Sequence, residues 1–209
     1  MRPLSGIFAL LLAIFASSQV VPRGEVGDSE VGALQERYQY ELNSIAADVT
    51  EHHFPYHFYL SRRLDVDERR LRHKHENSVH FALFRGQVVL AVTGNYYAAY
   101  YARVVNKERR ADRTFRDAMF PILAAAVEHL QGKAEFDGYA LEISHHIVGD
   151  VLGVTMEAPE NLLVLLPRRA AERLIAAPTL NEQQAAVSEG SVFVNAEPIA
   201  LQLGEVTIR

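Results

Sequence analysis

The stretch "DGYALEISHHIVGDVLGVTMEAPENLLVLLP", residues 137–167, decides how the chain is built. Tyr139, Leu141, Ile143 and His145 alternate with Ala140, Glu142, Ser144 and His146. That is the period-two pattern of a strand with one face on a core. The stretch predicts three strands, "DGYALEIS", "VLGVTMEA" and "NLLVLLP", the last two joined by a turn at Pro159-Glu160-Asn161. Strand geometry also separates the two adjacent histidines. His145 continues the core-facing row, and His146 joins the polar row of Glu142 and Ser144 where the strand reaches solvent.

The same rules extend outward. Downstream, Pro167 suits the first turn of a helix reaching Ala177, and Thr179 with Glu182 forms a capping box for another helix that Gly190 ends. "SVFVN" and "PIALQLG" then close the chain as a hairpin. Upstream, Asn106 caps a long helix through Gln131 whose buried stripe is Phe115, Met119, Ile122, Ala126 and Leu130, with a kink at Pro121. "YYAAYYARVV" fits a strand or a helix, with strand the leading reading, and "VHFALFRGQVVLAVTGN" reads as a hairpin turning at Arg85-Gly86. "YHFYLSRRLD" (56–65) is a further strand, followed by the charged connection "DVDERRLRHKHENS". Val31, Leu34, Tyr38, Leu42, Ile45 and Val49 recur at steps of three and four, an N-terminal amphipathic helix capped by Asp28 or Ser29 and ended by Pro55. Strands in groups, separated by helices, define an α+β fold with a mainly antiparallel sheet.

The first residues bear on compartment. "MRPLSGIFALLLAIFASSQ" has Arg2, an apolar run from Ile7 to Ala16 and then small polar residues, the layout of a secretory signal peptide cleaved after Ser18. The run is about half the roughly 20 residues of a membrane-spanning helix, so no stable membrane span is expected after cleavage. Residues 19–27 read as a flexible leader and 28–209 as a single domain. The chain has no cysteine and no Asn-x-Ser/Thr acceptor, which fits a bacterial exported protein, periplasmic or secreted. Its formal charge of −5 argues against nucleic acid as a partner.

Most catalytic patterns fail on spacing. Glu142, Ser144 and His146 share a strand face, but neighbours there stand about 7 Å apart, too far for a nucleophile and its base. The carboxylates Asp65, Asp67 and Glu68 lie among Arg62, Arg63, Arg69 and Arg70, which reads as a solvated ion network. No glycine-rich phosphate loop is present. Nine histidines fall at 52, 53, 57, 73, 75, 80, 129, 145 and 146. Imidazole is the commonest metal ligand, so His57, His73, His75, His80 and His146 form a candidate site for a divalent metal such as zinc, if their segments converge. Tyrosine and arginine favour interfaces, which makes Tyr96, Tyr97, Tyr100, Tyr101, Arg103, Arg109 and Arg113 a candidate interaction surface.

The leading reading is an exported, non-enzymatic domain that binds a partner protein or a small ligand, with no cofactor. Its alternatives are a metal-dependent envelope hydrolase using the 52–57, 73–80 and 145–146 histidines, and an envelope assembly protein.

Overall fold

A computed structural model of the chain describes residues 20–21, 23–64, 78–151 and 154–204. The proposed signal peptide and most of the charged connection, with Asp65, Asp67, Glu68, His73 and His75, lie outside the described residues.

The molecule is mixed α+β around a mostly antiparallel seven-stranded sheet. The strands are β1 (Phe58–Leu60), β2 (Val79–Phe84), β3 (Gln87–Tyr101), β4 (Gly138–Val151), β5 (Val154–Pro167), β6 (Ser191–Val194) and β7 (Glu197–Ile199). Their order is β1-β3-β4-β5-β6-β7, and β2 pairs with β3 ahead of β1 along the same edge. Only β3 and β4 run parallel among these pairs, because the chain returns between them through helices. The β2–β3 and β6–β7 turns place Arg85-Gly86 and Asn195-Ala196 at positive φ, the backbone that tight hairpins need.

The helices are α1 (Ser29–Arg37), α2 (Gln39–Glu51), α3 (Lys107–Thr114), α4 (Phe120–His129), α5 (Arg168–Ala176) and α6 (Leu180–Val187). Asp28 caps α1 by accepting from the Glu30 and Val31 amides at 2.9 and 3.0 Å. Asn106 caps α3, and Thr179 with Glu182 completes the capping box of α6. Val31, Leu34, Tyr38, Leu42, Ile45 and Val49 are all buried. They join Phe115, Met119, Ile122 and Leu130 in one core against the inward rows of the sheet, Leu90, Val92 and Tyr96 on β3 and Tyr139, Leu141 and Ile143 on β4.

Three local readings of the sequence need correction. The segment 138–167 forms two long strands rather than three, with Val151 paired to Val154 and Pro159 inside β5 opposite His146. Proline is tolerated there because β6 covers β5 only from Leu162 to Leu165, leaving residue 159 on an open edge where a missing N–H breaks no ladder. The bend expected at Pro121 is realised one turn earlier, as a π-helical turn over Phe115–Met119 closed by the Phe120 amide on the Phe115 carbonyl. Pro121 has no N–H, and its ring would crowd the carbonyl of residue 117 in a regular helix, so the preceding turn widens. Residues 20 and 21 do not trail free as part of a leader: both valines are buried, and the Val21 amide donates to the Val79 carbonyl at 3.1 Å.

Candidate functional site

The two adjacent histidines sit where β3 and β4 slip in register. Asn95 pairs with Ser144, yet the next matched pair is Ala99 with His146, so β3 spends two extra residues, a bulge that preserves the alternation, with Tyr96 in the core and Tyr97 on the opposite face. Around this bulge the sheet carries two distinct polar groups, one on each face.

On the helix side, His145 lies at the centre of a buried chain of hydrogen bonds. Its Nε2 meets Glu160 Oε1 at 2.8 Å, and its Nδ1 meets Thr114 Oγ1 at 3.1 Å. Tyr100 Oη stands 3.3 Å from the same threonine oxygen. Arg110 grips Glu160 with Nε at 2.8 Å and Nη2 at 2.7 Å, and Nη1 donates to the Val105 carbonyl at 2.7 Å. Burial pushes His145 below the ordinary histidine range against the pull of Glu160, so the ring is neutral. A neutral ring assigns each proton: Tyr100 donates to Thr114, Thr114 to Nδ1, and Nε2–H to the carboxylate. Burial raises Glu160, but hydrogen bonds from Arg110 and His145 outweigh it and hold the carboxyl at about 2.

Hydroxyl, imidazole and carboxylate are thus spaced as in a nucleophile–base–orienter series. The chemistry stops there, because Thr114 and His145 are both 0% exposed and no substrate atom reaches the hydroxyl. The group is a structural tie between α3, β3, β4 and β5. Sequence reading missed it because nothing local marks Arg110 apart from its neighbours Arg109 and Arg113, and Glu160 falls in a segment read as a turn. The signal that could have found it was His145 on an otherwise apolar row.

On the opposite face no described helix packs. There His57, Tyr59, Tyr97 and His146 gather side by side. The His57 and Tyr59 ring centres stand 4.2 Å apart, Tyr59 and Tyr97 6.1 Å, and Tyr97 and His146 6.0 Å. His146 also pairs through Nδ1 with Glu157. The next row across β1, β3, β4 and β5 is Tyr59, Asn95, Ser144 and Asn161. Asn95 donates to the Arg63 carbonyl at 2.8 Å, whereas Ser144 Oγ and Asn161 Oδ1 are buried without a hydrogen-bond partner. Glu142, half-buried beside Ser144, has its carboxyl pushed above the usual range by burial. A cleft of about 570 Å³ adjoins the patch through His57 and Tyr59, and none of its described lining residues is Asp, Glu, Lys or Arg.

The candidate residues therefore divide. His57 and His146 flank one tyrosine, while His80 on β2 pairs with Ala91, six residues back along β3 and roughly 20 Å away. Among the described residues no three His, Cys, Asp or Glu side chains stand close enough to share an ion. Of the proposed interaction surface, Tyr97 is half-buried on the face without a described helix and Tyr101, Arg103, Arg109 and Arg113 are exposed. Tyr96 and Tyr100 cannot belong to it, because strand alternation sends both into the core, where burial raises their hydroxyls, Tyr100 to about 12. Comparison with known proteins returns nothing: no protein-family model, curated protein or solved structure matches the chain.

Proposed function

We propose that the chain is an exported, non-enzymatic binding domain that takes a small ligand on the His57–Tyr59–Tyr97–His146 patch and the adjoining cleft. The observation that carries this reading is the cluster of four rings on a sheet face with no described helix against it. Rings with an apolar body and a polar tip supply contact area at low entropic cost and orient a ligand through their edges. The hydroxyl–imidazole–carboxylate series is sealed inside, whereas in the patch His57 is exposed and Tyr59, Tyr97 and His146 are half-buried. Export rests on the charge and apolar run of residues 1–18, and no described helix is long and apolar enough to cross a membrane.

Two measurements on the purified chain test this. A panel of saccharides, peptides and lipids is scored by melting temperature, since a ligand specific to the folded state raises it. At least one class should stabilise the wild type and leave Tyr97→Ala unmoved. The metal-dependent hydrolase alternative makes the opposite forecast: bound zinc in the purified protein and a lower melting temperature with chelator. On the present reading chelator changes nothing. The assembly alternative draws on exposed Tyr101, Val104, Val154 and Met156 near the far end of the β4–β5 hairpin, and a monomeric mass at all concentrations removes it.

A further inference from the structure

The patch says what kind of ligand it fits, an inference that rests on the binding reading above. Ser144 is 1% exposed, faces away from the core by strand alternation, and its hydroxyl has no partner. Asn161 stands directly opposite on β5 with an orphaned side-chain oxygen, and Thr93, one row away beside Glu142, has an orphaned hydroxyl. Buried polar atoms in folded chains are nearly always hydrogen-bonded, so a row of orphans on one face is an unfilled set of contacts. Serine and threonine hydroxyls and the asparagine amide both donate and accept, which matches alcohol groups rather than phosphate, carboxylate or ammonium.

Charge narrows the class further. Among the described residues, Glu142 shares Ser144's face along β4 and Glu157 pairs with His146, which disfavours an anionic ligand, and Glu142 itself is held toward its neutral form by burial. The cleft beside the rings carries no Asp, Glu, Lys or Arg among its described lining residues, which gives a cationic ligand no counter-ion there. The rings and the polar row lie on neighbouring strands about 4.8 Å apart, so one ligand can touch both. We propose that the ligand is a neutral saccharide, stacked on Tyr59 and Tyr97 and hydrogen-bonded by Ser144 and Asn161. Its hydroxyls reach Ser144 when Glu142 or His146, the half-buried neighbours on either side along β4, rotates outward.

The test is calorimetric titration of the full chain with neutral oligosaccharides of glucose, xylose, mannose and N-acetylglucosamine. Polygalacturonate and a heparin fragment serve as anionic controls, and a neutral proline-rich peptide as a third. At least one neutral saccharide should bind. Its affinity should fall about tenfold or more in Tyr97→Ala and in Asn161→Ala, the effect of losing one central contact. Ser144→Ala supplies a signature that a purely structural serine lacks. It removes a buried orphan, so the free variant melts higher than the wild type while its saccharide affinity drops. If no neutral saccharide binds, the inference is overturned. Peptide or anion binding that depends on Tyr97, without saccharide binding, sinks the inference and leaves the binding site standing. No binding of any probe sinks both.

Discussion

Replacing Glu160 by alanine lowers the stability of the folded chain by about 3–5 kcal/mol, because it strands the Arg110 guanidinium in the interior. Arg110 and Glu160 are joined by two hydrogen bonds at 2.7 and 2.8 Å, and both side chains are almost wholly buried. The same substitution leaves the Nε2–H of His145 without its acceptor. Replacing Arg110 and Glu160 together by leucine or methionine should cost much less, since the expense lies in an unpaired buried charge rather than in the loss of attraction. Chemical denaturation of the single and double variants measures the difference.

The pair also sets the acid limit. Glu160 has a folded pKa of about 2, below its ordinary 4.5, so its stabilisation is complete above pH 4.5 and is lost as pH falls from there toward 2. His145 is likewise lowered, from 6.5, so the unfolded chain takes up its proton first and stability begins to fall below pH 6.5. His80 is lowered by burial and adds to that earlier decline. Melting temperature against pH should therefore drop in two stages. Glu160→Gln should lose the lower stage, and His145→Gln should weaken the upper one.

The second large effect is expected at Phe115. It is fully buried, opens the π-helical turn, and stacks edge-on against Phe120 with centres 6.4 Å apart. Phe115→Ala removes a large ring from a filled core and should cost about 3–5 kcal/mol. Neither Phe115 nor Glu160 touches the ring patch. Both variants, held below their melting temperatures, should bind ligand as the wild type does, whereas Tyr97→Ala should melt normally and fail to bind. Thermal melts and titrations on the same samples separate scaffold from site.

The sequence carried the local part of this architecture well. Capping residues announced the starts of α3 and α6, the Arg85-Gly86 turn announced a hairpin, and strict alternation placed His145 and His146 on opposite faces. Two things were hidden. Pro159-Glu160-Asn161 has the residues of a turn, but an open edge lets a strand hold proline, and only the β5–β6 register reveals that edge. The Arg110–Glu160 pair joins residues fifty positions apart, and nothing local distinguishes a helix arginine that will be buried from one that will not. The ring patch was half visible. His57 and His146 belonged to the candidate metal set and Tyr97 to the interaction surface, because the β1–β3–β4 pairing that gathers them leaves no mark in the residue pattern.

The most direct measurement of the central claim is an amide chemical-shift map of the full chain titrated with the best-binding probe of the ligand panel. The account predicts perturbations concentrated at Tyr59, Asn95, Tyr97, Ser144, His146 and Asn161, with Thr114, Arg110 and Glu160 unmoved. Perturbations centred on the buried Thr114–His145–Glu160 series, or spread without focus over the surface, would contradict it.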